Sequence, residues 1–166
     1  VYNSDEVTGQ WLRGEVQLTK TLLDKHKSTV GVECQYNLQQ KQLNFDHIQG
    51  GINLDDNRNS QYWAVYLQDE YAITDYLTFN AGVRFDYYDT FGDTINPRAA
   101  LIYNPFEKST FKAIYGSAFR APNAYELYFH DASGTQKPNP NLDPETINTY
   151  ELVYEQYFGK HYRGTV

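Results

Sequence analysis

The chain has 166 residues, with 14 Lys and Arg against 21 Asp and Glu, a net charge of −7, 16 Tyr, one Cys and no Met, and a mean hydropathy of −0.69. This acidic balance argues against a nucleic-acid binder, which needs a basic face that the sequence does not show, and one cysteine excludes an internal disulfide framework. No apolar run approaches the ~18 residues of a membrane-spanning helix, but a strand-built barrel stays open, because alternating polarity leaves average hydropathy ordinary.

In chain order, residues 1–8 have neither the basic start nor the apolar core of a secretory signal. Either the protein is cytoplasmic or its true N-terminus lies upstream. Residues 12–22 then alternate, with Leu12, Gly14, Val16 and Leu18 against Arg13, Glu15, Gln17 and Thr19. Residues 29–39 continue with Val30, Val32, Cys34, Tyr36 and Leu38 against Glu33, Gln35 and Asn37. In residues 62–73, Trp63, Val65, Leu67, Tyr71 and Ile73 form the apolar side, which Asp69 breaks; a bulge or a position near an interface is expected there. Residues 77–88 are the clearest stretch, with Leu77, Phe79, Ala81, Val83, Phe85 and Tyr87 in strict period two, as in a strand with one wet face. Residues 97–104 and 110–120 are less regular, since Ile102 and Ile114 fall on the polar side. Residues 149–158 alternate again, and a last strand starts near Tyr162. The spacing thus predicts an all-β antiparallel meander of about eight strands. No i, i+3, i+4 helical pattern is sustained.

The connections alternate in length. Residues 24–27, 74–76, 104–109 and 159–161 are short. Residues 41–60, 90–95 and 121–146 are longer, the last rich in Pro, Asn and Gly. Short turns at one end and long loops at the other are the pattern of an outer-membrane barrel, and strands of ~9–11 tilted residues suffice to cross the hydrocarbon. On this orientation residues 1–8 are the tail of an external loop. Tyr71, Tyr76, Tyr87, Tyr88, Tyr103, Phe106, Phe158 and Tyr162 lie near strand ends, where aromatic girdles sit. The competing reading is a soluble β-sandwich with a Tyr-rich core.

Two ordered boxes close the chain: Phe119-Arg120-Ala121-Pro122 and Asn139-Pro140-Asn141-Leu142-Asp143-Pro144-Glu145. With Gly82-Val83-Arg84-Phe85-Asp86 and Asn96-Pro97-Arg98-Ala99-Ala100 upstream, the sequence over about residues 10–162 resembles the C-terminal barrel region of TonB-dependent outer-membrane receptors. The resemblance implies a plugged barrel of 22 strands in a Gram-negative outer membrane. It implies energised uptake of a scarce ligand such as an iron-siderophore, haem, cobalamin or glycan. The implied partners are outer-membrane lipid, a plug domain of the same receptor, a TonB-type energy-coupling protein reached through the N-terminal region, and the small-molecule ligand. Such a barrel needs well over ~400 residues, so the whole chain, 1–166, is expected to be a partial barrel without its plug, unable to transport by itself. The alternatives carried are a passive porin-like barrel and an enzymatic one. No Gly-x-Ser-x-Gly box occurs, so no catalytic residue is expected.

In such a barrel the polar side lines the lumen, and Glu70, Arg84, Asp86, Arg98, Glu151 and Glu155 are expected to face lumen or plug. Both charge signs are present, which indicates no single-sign ion filter. Arg120 ends a strand and Pro122 stops the ladder; the box is read as a rim element, with direct ligand contact as the second role. Tyr125, Tyr128 and His130 in the following loop are the other ligand-binding candidates. The resemblance adds that haem-transporting members carry an iron-ligating histidine between the two boxes, where His130 lies. No cofactor is expected; haem would be cargo. His26, His47 and His161 form no visible metal cluster, and Asp55-Asp56-Asn57 is read as a solvated tip rather than a calcium loop.

Overall fold

In the computed structural model, residues 2–48, 50–131, 135–159 and 161–166 are described. The expected loop residues 1, 49 and 132–134 and the turn residue 160 lie outside them. The strands are β1 (Asn3–Leu22), β2 (His26–Asp46), β3 (Gly51–Thr74), β4 (Leu77–Tyr88), β5 (Gly92–Phe106), β6 (Ser109–Arg120), β7 (Glu145–Phe158) and β8 (Tyr162–Thr165), with one short helix, α1 (Ala124–Tyr128), between β6 and β7. All eight form one sheet in sequence order, every pair antiparallel.

The register aligns the alternating residues into two continuous faces. On one, Val16, Val32, Val65, Phe85 and Ile95 run strand to strand. Farther along, Leu101, Ala113 and Leu152 do the same. This face is bare: Leu18 is 68 % exposed and Leu152 is 85 % exposed. Among the described residues only Leu54, Ala64 and Leu127 are buried apolar side chains, so there is no second layer and the sandwich reading falls. A sheet with an unburied apolar face is stable where hydrocarbon covers it.

Aromatic pairs mark the edges of the apolar band. At the short-turn end Tyr103 lies between Tyr76 and Phe111, and Phe111 stacks on Tyr154 with centroids 4.7 Å apart. Toward the other end Trp63 packs on Phe85 and Tyr87. Tyr88 departs from the expected girdle. It faces the other side of the sheet and stacks on Tyr62 at 4.6 Å, because period two puts it with Asp86 and Arg84. Asp69 is also not bulged. The register shift of β3 against β4 falls between Ala72 and Thr74, and Asp69 is held by Ser28 Oγ and His26 Nδ1, each at 2.7 Å.

The expected long loop over 41–60 is instead strand. β2 runs to Asp46 and β3 resumes at Gly51, paired through Gln42↔Asp56 and Phe45↔Ile52. Residues 3–8, expected as a loop tail, pair with 41–46. Past Gln40 the alternation continues as Leu43 and Phe45 against the buried Gln42, Asn44 and Asp46, but out of phase with residues 29–39, because the register shifts between Asn37 and Gln40. The register shifts at Gln10/Trp11 and Asn37/Gln40 lie opposite one another; the three strands re-aim there as they leave the apolar band. The extension adds ~3.3 Å per residue.

Candidate functional site

The polar face is organised by small residues on middle strands. Ala64 on β3, 0 % exposed, pairs with Glu33 on one side and Asp86 on the other. Two strand spacings, ~9.5 Å, separate the backbones of these two acids. Arg84 spans them, Nη1 to Glu33 at 3.1 Å and Nε to Asp86 at 2.8 Å. Arg13 from β1 adds a 2.8 Å pair to Glu33, and Tyr62 donates its hydroxyl to the same carboxylate. Gly31 serves the same purpose. An added Cβ there would lie 2.2 Å from the Tyr66 ring; the bare backbone lets Tyr66 cross β2 and donate to Glu15 and Gln17 on β1. Gly82 repeats the device, with Arg98 crossing it to Gln68. Each bridge ties strands i and i+2, with charge-assisted bonds where Arg or carboxylate takes part.

Beyond this face stands the rim. Arg120 at the end of β6 donates Nε and Nη2 to Glu145 at the start of β7, at 3.1 and 2.7 Å. Its Nη1 donates to Glu126 at 2.9 Å. Glu126 and Asn123 form a capping box on α1: Asn123 Oδ1 accepts from the Glu126 amide at 3.0 Å, and Glu126 accepts from the Asn123 amide at 2.9 Å, satisfying two orphan donors of the helix start. The Arg120 guanidinium, joined at Glu126 by the Asn123 amide, holds both carboxyls below the usual glutamate range. Arg120 is in turn held more firmly protonated by Glu145 and Glu126. Helix α1 docks on the β2–β3 extension: Gln42 donates to the Ala124 carbonyl at 2.9 Å, Arg58 lies 3.6 Å over the Tyr128 ring, and Leu127 is 2 % exposed.

The expected site residues therefore divide. Arg120 is engaged by two carboxylates. Tyr125 donates to Gln136 at 2.8 Å and stacks on Phe129 at 4.4 Å. Tyr128 lies under Arg58, while His130 is exposed. Among the described residues no group of three or more His, Cys, Asp or Glu can hold a metal. On the polar face Arg84, Asp86 and Arg98 belong to the bridges, and Glu155 pairs with Lys112 at 2.7 Å. Glu70 and Glu151 have no ion pair among the described residues. Sequence reasoning missed Tyr62, Tyr66, Gln42 and Arg58. Period two places the two tyrosines on the polar face; Gln42 alternates with Leu43 out of phase with residues 29–39, past the register shift between Asn37 and Gln40, and Arg58 lies in the polar stretch 55–60, where no alternation marks it.

A profile of the family described as TonB dependent receptor-like, beta-barrel, matches residues 2–166. The vitamin B12 transporter BtuB of Photobacterium profundum is 36% identical over 89 residues, 54% of this chain and 14% of that protein. The heme/hemopexin utilization protein C of Haemophilus influenzae is 31% identical over 121 residues, 61% of this chain and 17% of that protein. The ferric enterobactin receptor of Pseudomonas aeruginosa superposes with a TM-score of 0.73 at 20% identity, over 92% of this chain and 25% of that one. The chain spans about one seventh of the length of the first of these relatives.

Proposed function

This chain belongs to the TonB-dependent receptor β-barrel family, a family of receptors and not of enzymes, and we propose that it forms the C-terminal part of a barrel in a Gram-negative outer membrane that imports a scarce ligand by energised transport. The observation that carries the reading is the exposed apolar face, interrupted at Asp69, beside a bridged, charged one. The first is suited to lipid; the second suits a wet lumen that closes on a plug. In this reading Glu70 and Glu151 are the carboxylates open to plug contact, and the rim of Arg120, Tyr125, Tyr128 and His130 faces the arriving ligand. Arg120 orders that rim by joining β6, β7 and α1. Haem as cargo is the narrower reading, and iron ligation would there rest on His130 alone.

The test uses the full-length receptor in a host lacking its own high-affinity receptors. Uptake of labelled cobalamin, haemin or a ferric siderophore is measured with and without the energy-coupling protein. Energy-dependent uptake of one of them is expected; uptake that persists without coupling makes the protein a passive pore. For haem, a Soret band on mixing with haemin that is lost in His130→Ala supports ligation, and no band ends that reading.

A further inference from the structure

Between α1 and the inner side of the β2–β3 hairpin lies a cavity of about 250 Å³. Its polar wall is a head-to-tail hydrogen-bonded chain. Gln35 donates to Asn37 at 2.8 Å, Asn37 donates to Ser60 at 2.7 Å, and Ser60 donates to Gln40 at 3.0 Å. The chain ends on the Gln40 amide nitrogen, which has no further partner among the described residues. The Tyr62–Tyr88 stack lines another side, and Tyr128 and Leu127 of α1 line a third. None of the described lining residues carries a charge, although Glu33, Arg58, Arg120 and Glu126 all lie close by in the fold. Each of these ions already has a partner of opposite charge or an aromatic face.

Amides and hydroxyls both donate and accept, so such a wall matches carboxamide or hydroxyl groups. A carboxylate or phosphate would enter with no cation to meet it. The stacked tyrosines add a flat apolar surface for a ligand face. The volume is below the ~300–1,000 Å³ of sites that enclose a whole small ligand, so it fits one arm of a larger molecule. We propose that this cavity is a subsite for an uncharged, carboxamide- or hydroxyl-bearing arm of the transported ligand. This rests on the receptor reading above and narrows its substrate class.

The test uses the full-length receptor with three probes: cyanocobalamin for carboxamide arms, maltohexaose for hydroxyl arms and haemin for carboxylate arms. Affinities are measured for the unaltered receptor, Ser60→Ala, Gln40→Ala and the control Thr78→Ala, whose site lies on the same face near the opposite end. Gln40→Asn, which keeps the amide but withdraws it by one methylene, is the milder variant. Heat-modifiable electrophoretic mobility selects the folded variants. Binding of an uncharged probe is expected, about tenfold weaker in Ser60→Ala and Gln40→Ala, weakened less in Gln40→Asn and unchanged in Thr78→Ala. Equal affinity in all variants, as when a plug segment fills the cavity, overturns the subsite. So does binding of haemin alone. Energised uptake of an anionic ligand untouched by the cavity variants overturns the subsite and leaves the receptor reading intact; energy-independent uptake, or none, overturns both.

Discussion

Tyr66 reaches Glu15 and Gln17 across β2 because residue 31 has no side chain. Glycine inside a strand ordinarily costs roughly 0.5–1 kcal/mol relative to alanine, so Gly31→Ala at an open position would stabilise. Here the sign reverses. The new methyl drives the ring out of its place, an overpacking cost of about 1–3 kcal/mol, read as a lower denaturant midpoint of the full-length receptor. In Gly31→Ala with Tyr66→Ala most of that penalty vanishes, and a penalty that persists shows that the ring is not its cause. The sequence marks Gly31 and Ala64 as small residues on the polar side. It does not mark what crosses them, because Tyr66 and Arg84 arrive from the adjoining strands through pairing.

At the scale of elements, the β1–β2 turn and the α1 clamp carry separable loads. Leu23 and Asp24 both sit in the left-handed region, at φ 52 and 57, with Lys25 N donating to Leu22 O at 3.3 Å, the geometry of a tight hairpin turn. Leucine does not adopt it freely and aspartate does so at a smaller cost, so Asp24→Gly raises stability by up to about 1 kcal/mol, seen as a higher unfolding midpoint. The clamp predicts a pH dependence. Glu126 and Glu145 have lowered values in the fold, so their contribution is complete above the ordinary glutamate value and is lost as pH falls through the lowered ones. Hydrogen-exchange protection of the α1 amides therefore holds from neutrality to about pH 5 and declines below about pH 4. Arg120→Ala brings the low-protection pattern to pH 7, and equal protection in that variant removes the clamp from the account. The boxes Phe119–Pro122 and Asn139–Glu145 are legible as the end of one strand and the turn into the next. The five-residue helix between them is not, since one turn leaves no periodicity to read.

For the whole molecule, the two faces answer differently to charge. Val32 lies on the apolar face, and an Arg on a lipid face costs from about 0–1 kcal/mol near an interface to about 2–4 kcal/mol at the midplane, so Val32→Arg lowers stability and assembly. Thr78→Arg on the polar face leaves assembly into vesicles nearly unchanged; equal effects from both would mean that hydrocarbon does not cover the apolar face. Period-two alternation is a local property of the chain. Residues 77–88 alone therefore announce strand, face and sidedness, and seven repetitions announce a meander. Over 41–46 the alternation changes phase across the register shift between Asn37 and Gln40, so the local pattern breaks there and pairing reveals that the strands continue. The bridges, the rim clamp and the uncharged cavity are likewise decided by tertiary structure. They join residues such as Gln42 and Ala124, or Glu33 and Arg84, that only strand register brings within hydrogen-bonding distance.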